Sequence, residues 1–129
     1  MIRNFLLLYL LFALTLTACS AAVTPEATAT TPGAKITLQT NPDPVNVGDV
    51  ELIFMVVNAQ DEPVTGADFD VIADHVDMSG MTMHGTATDQ GGGRYSITTN
   101  FSMEGNWKLT VQVKNDNLNQ KEDIMLRVQ

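Results

Sequence analysis

The chain has 129 residues, with seven Lys and Arg against 15 Asp and Glu, and a formal net charge of −8. That balance excludes the basic surface by which proteins displace counterions from nucleic acid. A single cysteine, Cys19, excludes an internal disulfide and any site built from several thiolates.

The chain opens with a 12-residue apolar run, Phe5–Leu16, placed behind Arg3. A membrane span needs about 20 residues, whereas a positive start followed by a short apolar core is the pattern of a signal peptide. Leu16-Thr17-Ala18-Cys19 closes the run in the manner of a bacterial lipobox. The expectation is a lipoprotein signal peptide over residues 1–18 and lipidation at Cys19, leaving an exported protein held at the periplasmic side or the cell surface. Several acyl chains on one cysteine would hold it firmly, where one alone holds marginally. Residues 19–34 are rich in Ala, Thr and Pro with one charged residue, Glu26. Such a segment has too little apolar surface to fold and reads as a tether.

From Lys35 onward, apolar and polar residues alternate at period two. The pattern predicts strands at 35–40, 50–57, 69–75, 81–88, 95–101, 107–113 and 124–128. Val50–Val57 is apolar on both parities and reads as a central strand. Trp107, Leu109, Val111 and Val113 alternate cleanly with Lys108, Thr110, Gln112 and Lys114, which puts Trp107 in the core. Asn41-Pro-Asp-Pro44, Asp61-Glu-Pro63 and Gln90-Gly-Gly-Gly-Arg94 supply turn chemistry between strands. No segment has a helical period. Seven short strands over residues 35–129 predict an all-β domain, an antiparallel immunoglobulin-like β-sandwich, with a small β-barrel as the other closed solution.

Both histidines and three of the seven methionines fall in one ten-residue stretch, His75-Val-Asp-Met78-Ser-Gly-Met81-Thr-Met83-His84. Thioether sulfur is a soft, neutral ligand suited to Cu(I), and imidazole serves copper in either oxidation state. Zinc has little use for thioethers. His75, Met78, Met81, Met83 and His84 are therefore the candidate copper ligands. Taken singly, an inward methionine is a core filler, but Met78 and His84 lie off the inner face, so core packing does not explain the whole cluster.

A three-residue hairpin loop at Met78-Ser79-Gly80, with Gly80 left-handed, would pair Asp77 with Met81 and His75 with Met83. His75, Met81 and Met83 then face inward and His84 outward. A two-residue Ser79-Gly80 turn would instead set His75 opposite His84, at the cost of turning Phe69 and Val71 outward. The first register keeps the apolar face in the core.

Other features carry less. Asp68, Asp70 and Asp74 read as a solvated strand face, because the calcium loop that such spacing serves elsewhere is missing. Gln90–Arg94 has no helix behind it to cradle phosphate. No Ser-His-Asp spacing or nucleophile elbow gives hydrolase chemistry a foothold, so no enzyme activity is expected.

Gly48-Asp-Val-Glu-Leu-Ile53, Glu62-Pro-Val64 with Gly66-Ala67, Met78–His84, Gly93-Arg-Tyr95 and Met103-Glu-Gly-Asn-Trp107 together resemble YtkA-like domains, over roughly Lys35 to Lys114. Those domains, and the similar FixH proteins of cytochrome oxidase assembly, are small exported or membrane-attached β-sandwiches linked with copper handling. The resemblance implies metal ligands at Met78, Met81, Met83 and His84, with His75 added by the pairing above, and structural roles for Gly105 and Trp107. FixH-like proteins keep a transmembrane helix, which a lipobox replaces here.

The expected function is a lipid-anchored extracytoplasmic copper-binding protein, a Cu(I) chaperone, buffer or resistance factor. Its expected partners are the copper ion, the membrane through Cys19, and a copper-accepting or membrane protein. The alternative is a non-metal immunoglobulin-like module that docks on a membrane complex through the methionines.

Overall fold

The computed structural model describes residues 33–129; the expected signal peptide over 1–18, Cys19 and the expected tether through residue 32 lie outside the described residues. Eight strands follow: β1 (Lys35–Asn41), β2 (Gly48–Val57), β3 (Asp68–His75), β4 (Thr82–Thr86), β5 (Thr88–Asp89), β6 (Arg94–Phe101), β7 (Gly105–Lys114) and β8 (Asn119–Val128). They form two antiparallel sheets in the orders β1-β2-β6-β5 and β4-β3-β7-β8. This is the immunoglobulin-like division of strands between two layers, with β4 added beside β3. Two open sheets, rather than one closed one, exclude the barrel.

The strand count is eight and not seven because the segment expected as one strand over 81–88 serves both layers. β4 pairs with β3, and β5 pairs with β6 in the other sheet. Ala87, between them, is buried and donates its N–H to the Phe69 carbonyl at 2.8 Å. The last strand also starts earlier than expected, at Asn119; its half-buried positions there are the polar Gln120 and Glu122, which hide the strand from an apolar alternation.

The core is where the alternation placed it. Val50, Leu52, Phe54 and Val56 of β2 face Phe69, Val71 and Ala73 of β3 and Trp107, Leu109, Val111 and Val113 of β7, all buried. Each large apolar side chain so removed from water contributes about 1.5–3 kcal/mol. Ile53, on the other parity of β2, is buried as well, as expected of a central strand. Phe69 packs between Phe54 and Tyr95, at ring separations of 4.7 and 5.1 Å. Ala34 is part of this core, and its carbonyl accepts a hydrogen bond from Gln120 Nε2. The packed sandwich thus begins one residue before Lys35.

Strand direction sorts the loops into two ends. The chain enters β1 at one end, together with the β2–β3, β5–β6 and β7–β8 connections. There the Tyr95 hydroxyl donates to the Val64 carbonyl at 2.9 Å and accepts the Ala67 N–H at 3.2 Å. Asp89 accepts the N–H groups of Gly66 at 2.6 Å and Gly91 at 2.7 Å. Those amides, Gly66 first, hold the Asp89 carboxyl below its ordinary range. Burial pushes the Tyr95 hydroxyl above its own. The opposite end carries the β1–β2 loop, the β3–β4 loop with the methionines, and the β6–β7 turn.

Candidate metal centre

His75 ends β3 with its side chain only 8% exposed. The ring stands edge-on to Trp107, with centroids 4.9 Å apart at 77°. Nε2 lies 3.1 Å from the Glu104 carbonyl oxygen, and Nδ1 lies 3.3 Å from the Asp77 backbone nitrogen. A carbonyl can only accept and a backbone amide can only donate, so Nε2 carries the proton and Nδ1 presents its lone pair. Gly105 makes the close approach possible. Its φ is +133°, and a Cβ there would sit 2.6 Å from Nε2, so a side chain would be both strained and obstructed.

The β3–β4 loop differs in register from the expectation. His75 stands opposite Met81, its N–H donating to the Met81 carbonyl at 3.1 Å. Ala73 pairs with Met83 and Asp74 with Thr82, in place of the expected His75–Met83 and Asp77–Met81 pairs. The shift is two residues, so every side chain keeps its expected face. The cause is local. Val76 continues the pairing with β7, its N–H donating to the Asn106 carbonyl at 2.9 Å. The next residues then turn about the histidine: Asp77 N–H onto the ring, and Met78 N–H toward the His75 carbonyl at 3.4 Å. The loop therefore runs over 76–81. Gly80 is left-handed as expected, at φ +84°.

Three of the five candidate ligands border the same cleft. His75, Met78 and Met81 line one cleft of about 380 Å³ at this end, with Asp74, Val76 and Lys108 also on its wall. Met78 is 46% exposed; Met81 is half-buried and packs against the core. Met83 and His84 are elsewhere. Met83 points between the sheets, where its sulfur accepts the Thr99 hydroxyl at 3.9 Å beside a gap of only about 20 Å³. His84 is exposed, paired with Ile72, and lines a cleft on the outer face of the sheet with Asp70 and Gln112. The outward direction expected of His84 is thus found, and it separates that imidazole from the loop.

The donor chemistry at the loop fits a soft monovalent ion. Two thioethers and one imidazole nitrogen form the kind of neutral set that Cu(I) accepts. The Nε2–H bond to a backbone carbonyl is the outer contact by which ligating histidines are held in one tautomer, and it leaves Nδ1 as the available donor. Nδ1 meets only a long bond from Asp77 at 3.3 Å, beyond the usual 2.7–3.2 Å range for such contacts, so a metal that took its place would cost little. Among the described residues no three His, Cys, Asp or Glu side chains gather as a metal site. Sequence reasoning missed the wall residues Val76 and Lys108. Lys108 reaches the cleft only through the pairing of β3 with β7, which nothing in the loop's own sequence signals.

The sequence model of the YtkA-like family matches residues 28–112. No curated protein and no solved structure matches the chain.

Proposed function

This chain belongs to the YtkA-like family, and on that footing we propose that it is an exported, lipid-anchored copper-binding protein. It takes up Cu(I) at the β3–β4 loop and passes it on. The observation that supports this reading is that His75, Met78 and Met81 line one cleft, with the imidazole held so that Nδ1 faces the loop.

The chemistry is ligand exchange. Met78, in solvent, makes the first contact with the incoming ion. Met81 and His75 Nδ1 then complete the set as Asp77 N–H gives way. Neutral ligands on a turn close no cage around the ion, and an incoming thioether or thiolate can replace them one at a time. That suits a chaperone or buffer better than a catalyst. Anchoring through Cys19 would confine the exchange to the membrane's outer side.

The test is a Cu(I) titration of residues 33–129, which hold the whole sandwich, against a competing chelator under reducing conditions. Met78→Leu/Met81→Leu should weaken binding by at least about tenfold, roughly 1.4 kcal/mol. Met83→Leu should change affinity little. Equal affinity in the wild type and in the Met78/Met81 variant would overturn the reading.

A further inference from the structure

Among the described residues, five large apolar side chains stand in solvent: Val47, Val76, Met78, Met103 and Met125. Four of the five sit on the three connections at the methionine end, remote from the point where the chain enters β1. Val47 belongs to the β1–β2 loop, Val76 and Met78 to the β3–β4 loop, and Met103 to the β6–β7 turn. Hydrogen bonds join these connections into one surface. Val76 is tied to Asn106 and His75 to Glu104. Gly105 pairs with Val128, and the neighbouring Gln129 exchanges backbone bonds with Val45 and Val47, each at 2.9 Å.

The same three connections have one sign of charge. They carry Asp43, Asp77 and Glu104, and neither lysine nor arginine. The nearest cations are on strands: Lys108 on the cleft wall, and Arg127, which bonds to Asn106.

We propose that this end is the docking face for a protein partner whose contact surface is apolar at its centre and ringed by lysine or arginine. The proposal rests on the copper reading, since such a partner would sit over His75, Met78 and Met81 and receive the ion they hold. Grouped exposed apolar side chains mark contact surfaces, and methionines among them adapt to the shape they meet. Charge selects the occupant. A second copy would set three carboxylates against three, and an anionic bilayer would repel them likewise. A basic ring complements them and speeds encounter.

The test is photo-crosslinking of the full chain in its own cells, with a benzophenone amino acid at Val47, Val76 or Met103, and at Asp61 or Asp116 on the opposite end. Adducts to one protein should form from the first three positions and not from the last two, on partner peptides rich in lysine or arginine. In an Asp43→Lys/Asp77→Lys/Glu104→Lys background the yield should fall at least about fivefold, and reversing the charges on the partner's cross-linked peptide should restore it. Adducts only to a second copy, only to lipid, to nothing, or indifferent to charge reversal would overturn the docking face. Met78→Leu/Met81→Leu, run beside these, separates the two readings. Unchanged cross-linking with weakened Cu(I) binding supports both. Unchanged cross-linking with unchanged Cu(I) affinity leaves the docking face standing and removes the copper reading.

Discussion

The two ends of this sandwich are built to opposite rules. Where the chain enters, side chains tie the loops down. Asn58 Oδ1 accepts the N–H groups of Gln60 and Glu62, Asp89 bridges the β2–β3 and β5–β6 connections, and the Tyr95 hydroxyl holds two backbone groups of one loop. None of the five exposed large apolar side chains lies there. At the other end a buried imidazole ties the β3–β4 loop to the β6–β7 turn, and four of the five stand in solvent. The difference teaches how one small core can serve two purposes. Side-chain bonds fasten the loops where the chain enters, while the methionine end is held from beneath by the buried His75 and Trp107 rings.

Breaking that buried support should have the largest effect. Trp107→Ala removes a fully buried ring that touches both His75 and Phe101. Urea denaturation should show a loss of about 3–5 kcal/mol, the usual result of deleting a core tryptophan. Next comes Gly105→Ala. With φ at +133° and the His75 ring 2.6 Å from the new Cβ, the expected loss is about 1–3 kcal/mol. It should also displace the ring, which is visible as shifted His75 imidazole resonances in NMR spectra. A loss confined to stability, with those resonances unmoved, would detach the glycine from the methionine loop.

Asp89→Asn tests the tied-down end through pH. The carboxyl sits below its ordinary value in the folded chain and returns to it on unfolding, so the unfolded chain takes up the proton first. The stabilisation is complete above the ordinary carboxylate range and is lost as pH falls through the lower folded value. The urea midpoint of the wild type should therefore fall more steeply on acidification below about pH 5 than that of Asp89→Asn. Parallel curves would show that the Gly66 and Gly91 amides contribute nothing. The smallest effect belongs to His84→Ala, on the outer sheet face. Stability should move by no more than about 0.5 kcal/mol, and Cu(I) affinity from the same titration should be unchanged.

The fold was legible because one face of nearly every strand is buried, and burial on one face writes itself as alternation. Trp107–Val113 shows this plainly. The split of β4 from β5 was not legible, since Met83, Gly85 and Ala87 keep an unbroken inward period while the backbone changes partner. The loop register was legible only in part. Phe69 and Val71 against Asp68 and Asp70 fix which parity faces inward, and parity is blind to a shift of two residues. At the candidate site, the ten-residue cluster falls at one end of the sandwich, and His84 turns outward as expected. It could not show that His75 is fastened by Asp77 and Glu104, because the Glu104 contact spans 29 residues. Nor could it show that Met83 turns its sulfur to Thr99 on the opposite sheet.

The packing of His75 on Trp107 has a practical consequence. The chain holds one tryptophan, fully buried, with its indole N–H donating to the Met103 carbonyl at 3.3 Å. A single chromophore thus touches both the β3–β4 loop, through the imidazole, and the β6–β7 turn, through that hydrogen bond. Its emission is an unlabelled optical gauge of this end of the protein, uncontaminated by any second indole.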